Sequence, residues 1–189
     1  TGSSHAGLLL AGDKVVAKKL LKVHGIRTPE FATMYRGALD WGGDVAFPLI
    51  VKPPQEDASI GITSKSIVHD LKELFARIDS IQTEFGQPVL VEQYVEGREY
   101  YVGVLGNMKA HALPPMEMDF SGLPAGIPKI ASWEAKWGAD GSGAGAEAEK
   151  SVAFARTKSV FPQDLSEALC EKLQATAVQA FEGLRLRDF

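Results

Sequence analysis

The chain has 189 residues, 45% of them apolar and 23% charged, with a formal net charge of -4. That length buries the core of one ordinary domain or two small ones, and the composition is that of a soluble globular chain. The acidic balance excludes bulk attraction to nucleic acid or to an anionic membrane, so any phosphate must be met by a few placed cations. The one cysteine, Cys170, permits no internal disulfide and fits a reducing compartment. It lies in a helical apolar pattern and reads as a buried structural thiol. No stretch of about 18 apolar residues predicts a membrane span, and no signal peptide is visible. A cytoplasmic location is expected.

In chain order, the first helix is predicted over Asp13 to His24, with Val15, Val16, Leu20 and Leu21 at helical spacing and Gly25 as its left-handed stop. Phe31 to Tyr35 reads as a strand, and Pro48 to Lys52 as a buried strand ending in a charge. Pro53 to Ile60 is a loop, since its prolines and Glu56-Asp57 cannot continue a central strand. Ser64 to Val68 reads as a short strand. Asp70 to Phe85 is an amphipathic helix with Leu71, Leu74, Phe75, Ile78 and Ile81 on one side.

Pro88 to Tyr94 is another buried strand. Glu96-Gly97-Arg98 reads as a solvated turn into a strand from Glu99 to Leu105, with Gly106-Asn107 as a hairpin turn before Lys109 to Leu113. The pattern weakens from Asp119 to Ser159, and Gly138 to Lys150 is rich in small and acidic residues, a mobile loop by composition. The last helix begins near Asp164, which has capping-box spacing to Glu167, and Leu165, Leu169, Leu173, Val178 and Phe181 supply its core face. Strands and helices mix without strict βαβ alternation, which places the chain in the α+β class.

Three lysines stand where a cation has a physical reason to be. Lys52 ends an apolar strand, and a charge there is costly unless it meets an anion. The small-residue loop that follows, through Gly61, can offer backbone N–H groups to phosphates; it is not a Walker A loop. The local pattern alone equally fits a surface turn with a snorkelling lysine. Lys14, in the first turn of its helix, opposes the helix dipole, so it either joins its charge to an anion at that end or is simply solvated. Lys136 is bracketed by Trp133 and Trp137, a ligand clamp or the edge of a core.

The junction from Val89 to Val102 presents extended backbone suited to an adenine edge, and Glu99 can accept hydrogen bonds from ribose hydroxyls. The four histidines show no metal-ligand spacing.

Taken in order, Asp-Lys in a helix, Val-Lys-Pro with a Glu/Ser/Gly loop, Glu-Gly-Arg-Glu at a strand junction and Glu-Ala-Lys-aromatic resemble the ATP-grasp domain of D-alanine–D-alanine ligases. The resemblance covers nearly the whole chain. It implies a linker at 1–11, a central ATP-grasp subdomain at 12–106, and a partial C-terminal subdomain at 107–189 with a mobile loop at 138–159. It implies that Lys14, Lys52 and Lys136 contact ATP phosphates, that Glu56, Ser59 and Gly61 belong to the phosphate-covering loop, and that Glu92, Gln93, Tyr94 and Val95 form the adenine hinge. Glu92 would lie near the exocyclic amine, the Val95 backbone would read the ring, and Glu99 would hold the ribose.

The chemistry so implied is phosphorylation of a carboxylate to an acyl phosphate, then attack by an amine, in peptidoglycan synthesis. ATP and magnesium are the implied cofactors, and a small amino acid the implied substrate. Two positions depart from the pattern. Ala58 replaces a serine that helps place substrate, and Trp137 replaces a tyrosine of the same network, so another amino-acid or peptide substrate stays open, as does a non-catalytic nucleotide-binding module. In the family a strand with an arginine and a metal-binding aspartate follows the last helix, and a glutamate and an asparagine come later. The chain stops at Arg187-Asp188-Phe189, short of that strand, so no residue here is assigned as catalytic or metal-bound. An incomplete ATP site, inactive alone, is expected. So is self-association through apolar surface on the last helix.

Overall fold

The computed structural model describes residues 2–35, 37–41, 45–86, 88–138 and 147–188. In chain order these form α1 (His5–Gly12), α2 (Lys14–Val23), β1 (Phe31–Tyr35), β2 (Ala38–Trp41), β3 (Leu49–Lys52), β4 (Ile67–Val68), α3 (Leu71–Phe85), β5 (Val89–Gln93) and β6 (Glu99–Tyr101). There follow β7 (Val104–Leu105), β8 (His111–Ala112), β9 (Met116–Asp119), α4 (Trp133–Trp137), α5 (Glu147–Arg156), β10 (Lys158–Val160) and α6 (Glu167–Gly183). The mixed α+β content agrees with the sequence reading.

Two compact units alternate along the chain. One comprises Thr1–Thr28, Arg98–Asp119 and Ser159–Phe189, and the other Pro29–Gly97 and Phe120–Lys158.

The second unit is built on a five-stranded sheet in the order β2-β1-β5-β3-β4. Successive side chains in a strand point to opposite faces. One face gathers Leu49 and Val51 of β3 with Val89 and Val91 of β5, and α3 covers it with Leu74, Ile78 and Ile81. Each such side chain contributes about 1.5–3 kcal/mol on burial. The registers Ile50↔Glu92, Lys52↔Leu90 and Phe31↔Glu92 put Ile50, Lys52, Leu90, Glu92 and Phe31 together on the other face. Asp70 starts α3 by accepting the Glu73 N–H at 2.8 Å, and Gly86, at φ 62°, ends it. Leu71 and Phe75 are exposed, so the apolar stripe of α3 is narrower than its sequence pattern suggests. The segment predicted as a strand from Ser64 begins instead with a 3-10 turn, Ser64–Ser66, capped by Thr63.

In the first unit, Asp13 caps α2 by accepting from Val15 and Val16 N–H at 2.9 and 3.1 Å, and Gly25 ends it at φ 73°. Gly183 of α6 lies against His24, where a Cβ would come within 2.9 Å of the imidazole and displace it. Residues expected as a linker form α1, capped by Ser4. The strand expected over 99–105 is two strands in different sheets, because β6 pairs with β9 while β7 pairs with β8. Ser166, not Asp164, caps α6. Asp164 is instead taken by Arg98, whose guanidinium reaches Asp164 at 2.8 and 3.0 Å and Glu117 at 2.8 Å, which corrects the reading of a merely solvated turn. Leu169 is 40% exposed, so it does not share the core face, and Cys170 is only partly buried. Within the stretch expected as a mobile loop, Glu147–Arg156 form α5 and Lys158 opens β10; residues 139–146 lie outside the described residues. No helix of the described residues is long and apolar enough to cross a membrane.

Candidate functional site

The sheet face away from α3 carries the charges. Lys52 and Glu92 sit diagonally across β3 and β5, and their side chains form an ion pair at 18% and 6% exposure. The anion that the strand-end lysine requires is thus supplied first by the chain itself. Buried Leu90 and Phe31 flank the pair on the same face, an apolar floor beside a cation.

After Lys52, the buried Pro53 and Pro54 turn the chain into the loop that closes at Gly61. Three of its residues have left-handed backbone: Ala58 at φ 52°, Ser59 at φ 66° and Gly61 at φ 72°. The Ile60 and Ile62 N–H groups are spent inside the turn, on Asp57 and Ser59 carbonyls at 2.9 and 3.0 Å. The N–H groups of Ala58, Ser59 and Gly61 have no acceptor among the described residues. A run of unsatisfied amides in such a turn is a concavity for an anion.

The loop is gripped from two sides. From α3, the Arg77 guanidinium donates to the Gly61 carbonyl at 2.6 Å and to Ser66 Oγ at 3.2 Å. Burial pulls the Arg77 pKa below its ordinary value, against the opposing charges of Glu84 and Glu134. From the other side, Ser59 Oγ donates to the Ala131 carbonyl at 2.6 Å, the Trp133 N–H to the Ile62 carbonyl at 2.8 Å, and the Trp137 indole to the Ala58 carbonyl at 2.8 Å. Ser132 caps α4, which carries Lys136 on the same short helix as Trp137.

At the end of β5, the Gln93 and Tyr94 N–H groups are used by the Glu30 and Pro48 carbonyls at 2.9 and 3.0 Å. The Val95 backbone makes no hydrogen bond among the described residues, and its side chain is 65% exposed. Of the four residues assigned to a hinge, Val95 therefore has backbone edges open to a ligand.

Lys52, Glu56, Ser59, Gly61, Glu92 to Val95 and Lys136 all belong to the second unit, where Lys52 and Glu92 are in direct contact. Lys14 and Glu99 belong to the first unit. Lys14 opens α2 next to Asp13, whose carboxylate already occupies the helix's first donors, so an anion at that terminus would compete with it. Glu99 accepts the Tyr101 hydroxyl at 2.6 Å, two residues along β6 on the same face. Burial, and then that bond, push the Tyr101 hydroxyl pKa up. Sequence reasoning missed Tyr101 and Arg77. The strand's period of two could have flagged Tyr101 as a neighbour of Glu99, whereas Arg77 looks like any polar residue on a helix face. Among the described residues no group of three or more acidic, histidine or cysteine side chains could hold a metal ion, so the implied magnesium has no fitted set here.

Residues 20–189 match the family described as D-ala D-ala ligase C-terminus. A D-alanine–D-alanine ligase of Syntrophotalea carbinolica is 36% identical over 184 residues, covering 97% of this chain and 51% of that protein. Among solved structures, VanG D-Ala:D-Ser ligase from Enterococcus faecalis shares the fold at a TM-score of 0.70 and 22% identity, over 98% of this chain and 48% of that one. The D-alanine–D-alanine ligase of Bacillus anthracis, complexed with ATP, superposes at 0.66 and 20% identity, over 100% and 51%. The chain spans about half the length of the relatives it matches. Its match over 170 consecutive positions, from residue 20 to 189, places it in a known lineage: the chain belongs to the D-ala D-ala ligase C-terminus family.

Proposed function

We propose that this chain is the ATP-holding part of a carboxylate–amine ligase that works through an acyl phosphate, with D-alanine or a closely similar amino acid as substrate. In that chemistry a carboxylate oxygen attacks the γ-phosphorus of ATP and ADP leaves. An amine nitrogen then attacks the acyl carbon, phosphate leaves, and the amide forms. Almost all of the catalytic effect in such a transfer comes from positioning and from positive charge around the phosphoryl group.

The observation that carries the reading is the loop of open amides at Ala58, Ser59 and Gly61, directly after the strand that ends in Lys52. An anion at the loop would meet backbone donors, and Lys52, at the end of the strand that leads into it, adds the positive charge. Lys136 on α4 supplies a further phosphate contact, and Glu92 to Val95 take the adenine. Magnesium belongs to this chemistry, but no step is assigned to it, because the described residues offer no cluster to hold it.

The departures at Ala58 and Trp137 favour a second reading within the same class, in which the substrate is a different amino acid or a peptide. A screen of amino acids with the full-length enzyme separates the two, since strong D-alanine turnover sinks the second. The nucleotide reading is tested by calorimetry with a non-hydrolysable ATP analogue. Binding that weakens on Lys52→Ala is expected, and no binding at millimolar nucleotide leaves only a scaffold.

A further inference from the structure

Left-handed backbone costs an L-residue about 1–3 kcal/mol and persists only where the surroundings impose it. Ala58 and Ser59 adopt it in succession, at φ 52° and 66°. Their hold comes from the segment 131–137. Ser59 Oγ is tied to the Ala131 carbonyl, and the Trp137 indole N–H donates to the Ala58 carbonyl at 2.8 Å.

The second of these bonds has a consequence the first lacks. A peptide unit is planar and trans, so the oxygen of residue 58 and the N–H of residue 59 lie in one rigid plane and point in opposite directions. An indole that pins the Ala58 oxygen therefore also sets the direction of the Ser59 N–H. That N–H is one of the three without an acceptor among the described residues. A donor on the carbonyl also polarises the peptide and strengthens its N–H as a donor.

We infer that Trp137 is a positioning residue of the phosphate loop: by gripping the Ala58 carbonyl it aims the Ser59 amide at the bound phosphates. This rests on the ATP-binding reading above. Trp137 acts through the backbone, so the grip is independent of the side chain at position 58. The indole is 50% exposed, so it holds the loop without being part of the core.

The test compares Trp137→Phe, which keeps a ring and loses the donor, with Trp137→Gln, which restores an N–H at similar reach. Calorimetry on the full chain reads a non-hydrolysable ATP analogue and, separately, AMP, which lacks the β and γ groups. W137F is expected to bind the ATP analogue about tenfold more weakly, as for loss of one hydrogen bond to a charged group. It should bind AMP as the wild type does and keep the wild-type melting temperature. W137Q should recover part of the loss.

Equal weakening of AMP and ATP analogue in W137F, or unchanged binding of both, overturns the assignment while the ATP reading stands. A W137F chain that fails to fold also overturns it, since the indole would then be structural. Absence of ATP-analogue binding by the wild type overturns the ATP reading and this inference together.

Discussion

The Lys52 ammonium meets the Glu92 carboxylate across β3 and β5, on the sheet face that α3 does not cover. Both groups are largely removed from water, at 18% and 6% exposure, so neither is cheap to leave alone. Breaking a buried pair by deleting one partner costs about 3–5 kcal/mol, whereas replacing both with apolar groups is often neutral. Lys52 is partly hydrated, so Lys52→Met should destabilise the second unit by about 3 kcal/mol, the low end of that range. K52M/E92L should regain most of this in urea unfolding while nucleotide binding stays lost in both variants. Equal destabilisation of single and double variants would show that the pair itself holds the sheet together.

Gly61→Ala tests the geometry of the loop. A Cβ at residue 61 would stand 2.7 Å from Pro53 Cγ and 3.0 Å from the Phe85 ring, on a backbone at φ 72°. Both strain and overpacking oppose it, and together they should cost about 2–4 kcal/mol in chemical denaturation. A variant as stable as the parent would mean that the loop relaxes freely.

Tyr101→Phe removes the hydroxyl that donates to Glu99 at 2.6 Å. If Glu99 binds ribose, the freed carboxylate loses its fixed orientation, and ATP-analogue affinity should fall several-fold, the scale of one modest hydrogen bond. Inorganic tripolyphosphate has no ribose and should bind as before. A matching loss for tripolyphosphate would remove Glu99 from the ribose role.

The Arg98 cluster predicts acid sensitivity of the first unit. Hydrogen bonds from Arg98 hold the Asp164 carboxyl below its ordinary range, and bonds from Asn107 and Gly2 do the same for Asp188. The folded form therefore releases these protons more readily than the unfolded form. The resulting stability is complete above the ordinary carboxylate pKa of about 3.9 and is lost as pH falls through the depressed folded values. Asp164 is 70% exposed, which keeps the effect small. Asp164→Asn should lower the melting temperature slightly at neutral pH, and the gap to wild type should close below about pH 4. A gap that persists into acid would assign the effect to packing.

Local pattern carried far in this chain. The helices α2 and α3, the strands β1, β3 and β5, and the left-handed stop at Gly25 follow from periodicity and capping residues within a dozen positions of each other. Such features depend on contacts that neighbours in sequence supply. The order of lysines and acids likewise sufficed to suggest the ligase family to which the chain belongs.

Folding decided what depends on a distant partner. Asp164 has the spacing of a helix cap, yet the Arg98 guanidinium, 66 positions away, captures it and leaves the cap to Ser166. The apolar run from Glu99 divides into two strands because β9 and β8 stand beside different parts of it. Lys52 announces a need for an anion, but only the pairing of β3 with β5 shows that Glu92 meets it first. Ala58 and Trp137 stand out in sequence as separate departures from a pattern. The chain brings them together across 79 positions, and an indole on a backbone carbonyl joins them, a bond that no side-chain pattern encodes because its acceptor is common to every residue.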